Sequence, residues 1–197
     1  DWAPAGHEVA HDQGVFTVEG ERPVAIVAAP QVIHGVHNVG VRGRHFHALF
    51  SKLYGGLVSY RYGFTPDGGN ELLVAPPRPN FWHAPTSNER GWGMPFEDGQ
   101  WLLASRYATV DTDLPNPVVV SHDDSVEVRY RYLLPTTPHS RCDVVYRVDG
   151  AGHVEVTVTA TPGEGLGDMP EFGMLFTADA DLHRLTWYGE GPDESYV

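Results

Sequence analysis

Lysine is almost missing from this chain, and cysteine nearly so. Lys52 stands alone beside twelve arginines, and Cys142 is the single thiol among 197 residues. With one cysteine no internal disulfide can form, so the fold does not depend on an oxidising compartment, and a cytoplasmic location is the expectation. Cys142 sits in an alternating run, Arg141-Cys142-Asp143-Val144-Val145-Tyr146. That pattern reads as a small buried strand residue in preference to a nucleophile. Positive charge is scarce too: 13 basic against 26 acidic side chains leave a net charge of −13. Such a surface repels phosphate backbones and anionic lipid, so neither nucleic acid nor a membrane is an expected partner. No run of about 18 apolar residues is available to cross a bilayer. A secretory-signal pattern, an internal repeat, and a glycine-rich phosphate loop between a strand and a helix are all missing as well.

What is present is the material of short strands. Hydrophobic residues make up 41% of the chain, enough for a packed core and too many for a disordered one. Runs rich in Val, Ile and Ala at 24–29, 32–33 and 36–41 are punctuated by Pro30, Gly35, Gly40 and Gly43, which predicts strands of about five residues. Gly55-Gly56 between Leu53-Tyr54 and Leu57-Val58 predicts a tight hairpin. Further strands are expected at 118–120, 126–133, 144–148, 153–160, 173–177 and 183–188. The stretches 125–132 and 153–159 alternate strictly, as a strand with one buried and one wet face requires. One short helix is expected, at 100–107, where Leu102, Leu103 and Ala104 favour it and no β-branched residue intrudes. Many short antiparallel strands without a βαβ rhythm predict an all-β sandwich with at most one short helix.

Residues 77–101, PRPNFWHAPTSNERGWGMPFEDGQW, interrupt that pattern. Pro76, Pro77 and Pro79 fix φ and remove donors, so no regular strand or helix is expected through them. Beyond them Phe81, Trp82, Trp92 and Trp101 alternate with turn-forming polar residues and with Gly91 and Gly93, which predicts a long shaped loop with a ring-anchored floor and a hinged tip.

The same residues carry a resemblance. Phe81-Trp82-His83-Ala84-Pro85-Thr86-Ser87-Asn88-Glu89, with Gly91 behind it, resembles the F-x-R-A-P-x-D-N-D-x-G segment in the last domain of family 2 β-galactosidases. His83 stands where that family usually has Arg, and Ser87 where it usually has Asp. Trp2-Ala3-Pro4-Ala5-Gly6-His7-Glu8-Val9-Ala10 is similar to the stretch closing the preceding immunoglobulin-like domain. Phe50-Ser51-Lys52, followed by Gly55 to Tyr60, resembles a hairpin of the family, and Trp187 to Tyr196 resembles its W-x-G-x-G-P-x-E-x-Y segment. These four segments occur in the family's order over nearly the whole chain.

The resemblance implies a large antiparallel sandwich of the galactose mutarotase-like kind at 19–197, incomplete at its C-terminal side, with the tail of an immunoglobulin-like domain and a linker at 1–18. It implies a non-catalytic role beside a (β/α)₈ barrel that hydrolyses terminal β-D-galactosides. The barrel domain is then the partner, galactoside is met through the barrel, and oligomers are possible. No cofactor is implied for this chain, although the family's enzymes often use Mg and Na ions. The segment starting at Gly91 corresponds to a mobile cover at the galactose site, which makes Asn88, Glu89, Gly91 and Trp92 the substrate-proximal candidates; their alternative role is a structural plug between domains.

Other clusters carry weaker chemical signals. Glycoside hydrolysis with retention needs two carboxyl groups about 5–5.5 Å apart. Glu89, Glu97 and Asp98 are the nearest local set, but Glu97-Asp98-Gly99 reads better as a polar turn with Asp98 as a helix N-cap. No catalytic residue is therefore assigned. Trp82 and Trp101 could stack on sugar rings, yet a core position is preferred for both. His34, His37, His45 and His47 give a hint of metal spacing without a defined third ligand, and Asp193-Glu194 reads as an acidic turn, so no metal site is assigned. Two alternatives stay open: a stand-alone carbohydrate-binding module, and an aldose 1-epimerase-like enzyme, the latter by analogy of fold alone.

Overall fold

The computed structural model describes residues 28–64 and 69–184, with Pro4 and Thr186 besides. The segment similar to the family at Trp187–Tyr196 and, apart from Pro4, the one at Trp2–Ala10 lie outside the described residues, as do 24–27 of the strand expected at 24–29 and half of the one expected at 183–188. The described residues of these two stretches, 28–29, 183–184 and 186, are not in strands. The chain divides into two compact units, Ile26–Asp181 and one formed from Asp1–Ala25 with Leu182–Val197. All strands and helices among the described residues belong to the unit Ile26–Asp181.

The first sheet of that unit is an antiparallel meander of β1 (Gln31–His34), β2 (Asn38–Arg42), β3 (Phe46–Ser51), β4 (Leu57–Tyr62) and β5 (Asn70–Glu71), in that spatial order. Phe46, Ala48 and Phe50 alternate inward along β3, and Val39 and Val41 do so along β2. The predicted hairpin is there: Gly55 and Gly56 take φ of 76° and 72° between β3 and β4. Only glycine adopts this without strain. A Cβ on Gly56 would lie 3.0 Å from the Tyr132 hydroxyl, so close approach also requires it.

The second sheet is built on β9 (Ser125–Leu134) and β10 (Ser140–Asp149), with β11 (Val154–Thr161) on one side. Along the other edge of β9, β7 (Thr109–Val110) pairs near Tyr132 and β8 (Val118–Ser121) pairs near Val128. Val126, Val128, Tyr130, Tyr132 and Leu134 face inward from β9, and Cys142, Val144, Tyr146 and Val148 from β10. Cys142 is thus a buried core residue. Burial pushes its thiol pKa up to about 12, which keeps it protonated and unreactive.

The inner faces of the two sheets meet as a sandwich. The Phe50 ring meets Tyr146 edge-on at 5.4 Å, the Tyr130 hydroxyl donates to the Ser51 carbonyl at 2.9 Å, and the Tyr60 hydroxyl donates to the Gly152 carbonyl. Each buried Val, Leu or Phe contributes about 1.5–3 kcal/mol by leaving water.

Two expectations fail in the proline-rich stretch. Ala75–Asn80 is a strand, β6, despite its three prolines, and it pairs with β12 (Gly173–Thr177). Proline lacks only the donor, and its fixed φ suits extended backbone where no ladder bond is needed, as in a two-stranded sheet. The register also slips between Leu175 and Thr177, opposite the Pro76-Pro77 end. Then, in place of one helix at most, there are three: α1 (Ser87–Trp92), α2 (Met94–Glu97) and α3 (Gly99–Tyr107). The third is the expected one. The first two lie within the stretch read as irregular: α1 is started by a local capping box at Thr86 and Glu89, and α2 follows the left-handed Gly93 with Pro95 in its first turn.

Candidate functional site

The excursion from Phe81 to Trp101 is closed at its base by its own rings. Phe81 is fully buried and packs on Trp101 at 5.8 Å and on Phe172 at 6.2 Å. The Phe81 amide donates to the Ser105 hydroxyl at 2.8 Å, and that hydroxyl donates to the Trp101 carbonyl at 2.9 Å. The Trp101 indole N–H donates to the Gly167 carbonyl at 3.0 Å. Trp101, Ala104 and Ser105 form the buried stripe of α3, at the i, i+3, i+4 spacing of an amphipathic helix. Trp101 is 2% exposed and Trp82 packs partly buried against the core, so the core reading holds for Trp101 and neither is a free sugar platform.

All four substrate-proximal candidates fall on α1. Thr86 is its N-cap: the Thr86 amide donates to Glu89 Oε2 at 2.7 Å, and the Glu89 amide donates to Thr86 Oγ1 at 3.3 Å. This is a capping box, and Thr86-Ser87-Asn88-Glu89 is its sequence signature, so the signal was in the chain but hidden among prolines. The other carboxylate oxygen of Glu89 lies 3.3 Å from His83 Nε2. Its hydrogen bonds with Thr86 and the nearby His83 hold the Glu89 carboxyl below its usual pKa. Glu89 is therefore engaged locally through both oxygens, and His83 makes the contact although it stands at the family's Arg position. Asn88 is exposed, and its side chain makes no hydrogen bond among the described residues.

Gly91 lies inside α1, and a Cβ there would meet nothing within 4 Å. The left-handed residue is Gly93, with φ of 92°, which ends α1 and starts α2. The backbone turns at Gly93. On this frame Trp92 is 57% and Phe96 92% exposed, while Met94 between them is buried. The tip thus presents two large aromatic side chains on a fixed base.

The acidic pair at the junction of α2 and α3 is divided by environment. Asp98 is buried, and Glu97 is exposed. Burial, then Asp168 and Glu97, raise the Asp98 pKa. It stands at the N-cap position of α3 but makes no side-chain cap bond, so the expected capping role is not taken. Its Oδ1 lies 2.0 Å from where a Cβ on Gly167 would be, so any side chain there would have to displace Asp98.

Among the histidines, the His45 ring packs on Phe64 at 3.9 Å. Burial, then Arg42 and Arg61, lower the pKa of His47. No group of three or more His, Cys, Asp or Glu is placed to hold a metal among the described residues.

An antiparallel sandwich carrying one structured, aromatic-tipped excursion is the class that this geometry defines. The family model described as the β-galactosidase small chain matches residues 42–197, and the chain belongs to that family. It is similar to the β-galactosidase of Clostridium acetobutylicum, 34% identical over 197 residues that make up all of this chain and 21% of that protein. It is likewise similar to the β-galactosidase of Streptococcus thermophilus, 36% identical over all of this chain and 18% of that one. The β-galactosidase small subunit of Latilactobacillus sakei is 33% identical over 80% of this chain and 53% of the subunit. The chain therefore spans about a fifth of the length of the first two relatives.

Proposed function

We propose that this chain is a non-catalytic sandwich domain of a β-galactosidase that hydrolyses terminal β-D-galactosides on a separate barrel domain. The α1–α2 excursion stands beside that barrel's sugar pocket and helps to close it. The observation carrying this reading is the exposed pair Trp92 and Phe96 on a base locked by Phe81, Trp101 and Ser105. Large apolar rings held rigidly in water indicate a surface that a neighbour covers. Closure over a pocket excludes water and strengthens electrostatics at the reacting carboxylates.

Within this reading Trp92 and Asn88 are the contact residues, since both side chains are exposed and make no hydrogen bond among the described residues, whereas Glu89 and Gly91 act by shaping α1. Domain limits at about residue 18, any Mg or Na ions in the parent and a cytoplasmic location belong to the same proposal. The parent enzyme carrying Trp92→Ala is expected to lose activity on lactose with its fold intact, while the isolated 197-residue chain releases no nitrophenol from a nitrophenyl galactoside. Hydrolysis by the isolated chain, or an unchanged kcat/KM in the Trp92→Ala parent, would overturn the reading. Because Trp92 is exposed, a stand-alone sugar-binding module is the second reading. Saturable quenching of its fluorescence by galactose in the isolated chain would favour that module.

A further inference from the structure

A cleft of about 450 Å³ opens between β6, β12, the β3–β4 turn and the C-terminal end of α3, away from the aromatic tip. Its wall on β6 is made of prolines, which present carbonyls and no amide donors. Arg78 and Arg106 line it, both exposed, and neither has an ion pair or a side-chain hydrogen bond among the described residues. No Asp or Glu lines the cleft. Tyr132 lines it too, and burial raises its hydroxyl pKa, so that group stays protonated as a donor.

A second groove, of about 570 Å³ on the outer face of β9 and β10, makes the contrast. There Arg129 binds Glu127, and Arg131 binds Asp143 at 2.7 Å. Its arginines are already neutralised by their partners. In a chain of net charge −13, two guanidinium groups without carboxylate partners in one cleft leave a local positive site. Long-range repulsion by the rest of the chain grows with the charge of the ligand and so disfavours polyanions, whereas a small anion feels less of it and still gains the short-range forks.

We propose that this cleft binds a compact oxyanion, a carboxylate or a phosphate group, between Arg78 and Arg106. Planar guanidinium groups match such oxygens two at a time, and the Tyr132 hydroxyl adds a neutral donor. The site is independent of the galactosidase reading and stands or falls separately from it.

Calorimetric titration of the 197-residue chain at low ionic strength with inorganic phosphate, and separately with citrate, tests the proposal. Saturable binding of at least one is expected, about tenfold weaker in Arg78→Gln or Arg106→Gln. Arg141→Gln, at an exposed arginine outside the cleft, is expected to bind as the unaltered chain does. Tighter citrate assigns a carboxylate ligand, and tighter phosphate a phosphate. Both arginines are exposed, so an unchanged circular dichroism spectrum verifies that each variant folds. No saturable heat with either anion, or the same loss in Arg141→Gln, would overturn the proposal.

Discussion

The β9–β10 hairpin and the α1–α2 excursion satisfy their backbones in opposite ways. In the hairpin ten consecutive residue pairs lie in register, from Ser125 opposite Asp149 to Leu134 opposite Ser140. Each strand depends on its neighbouring strands for its hydrogen bonds, and its inward side chains form the core shared by both sheets. The excursion closes its bonds within a few residues: Thr86 with Glu89 and Arg90, then Gly93 with Glu89. Its buried apolar anchors are Phe81, Met94 and Trp101, with Trp82 packed partly buried against the core. A ladder gains stability from depth of burial, whereas a locally capped excursion holds a shape and leaves its tip free to meet something else.

Substitutions can break that contrast, beginning in the hairpin's core. Phe50→Ala is expected to cost about 3–5 kcal/mol, because a fully buried ring facing Tyr146 leaves a cavity. Urea unfolding followed by circular dichroism measures it, and a loss below about 1 kcal/mol would deny that the two sheets share one core.

Within the excursion the two glycines should part company. Gly93→Ala forces a side chain into the left-handed region and is expected to cost about 1–2 kcal/mol. Gly91→Ala, helical and facing open space, should be neutral or stabilise by about 0.5–1 kcal/mol. Thermal melts of the two variants compare them directly. The reverse order would place the turn at Gly91, where the family resemblance starts its cover.

Removing the cap has a smaller effect. Thr86→Ala is expected to lower stability by about 1 kcal/mol or less and to raise amide hydrogen exchange in 87–92, while 125–149 stays protected. Faster exchange spreading into the hairpin would show that the two regions unfold together.

The smallest effect concerns Asp98, whose folded pKa is raised above its ordinary 3.8. Well below pH 3.8 the folded and unfolded chains both hold this proton; as pH rises through the raised value the native state resists ionising, so this group's contribution falls. Asp98→Asn removes that penalty and is expected to melt higher than the unaltered chain at about pH 7, a gain that should shrink toward about pH 3. Equal melting temperatures across that range would mean that Asp98 is well solvated.

Much of this was legible in the chain because period-two alternation is a local signal that burial enforces. Val126 to Leu134 and Cys142 to Val148 could point inward only as they do, and Gly55-Gly56 could end a strand in few other ways. The helix at Gly99–Tyr107 was visible from its good helix formers. The strand at Ala75–Asn80 was not, since prolines veto a central strand and nothing local revealed that β12 would leave the missing donors unneeded. Thr86 to Glu89 spelled out a cap, but neighbouring prolines made the segment read as loop. Among the substrate-proximal candidates, the sequence placed Glu89 and Trp92 in one segment without showing that the first bonds inward while the second faces water.

By itself, then, the sequence determined the antiparallel sandwich, its buried cysteine, its glycine hairpin and its family, because these rest on spacing between near neighbours. Only the tertiary structure decided that a proline strand pairs with β12, that Phe81 and Trp101 lock the base of the excursion, and that Arg78 and Arg106 share a cleft without carboxylates. Those facts depend on segments tens of residues apart meeting in space, and no local pattern encodes which distant partner arrives.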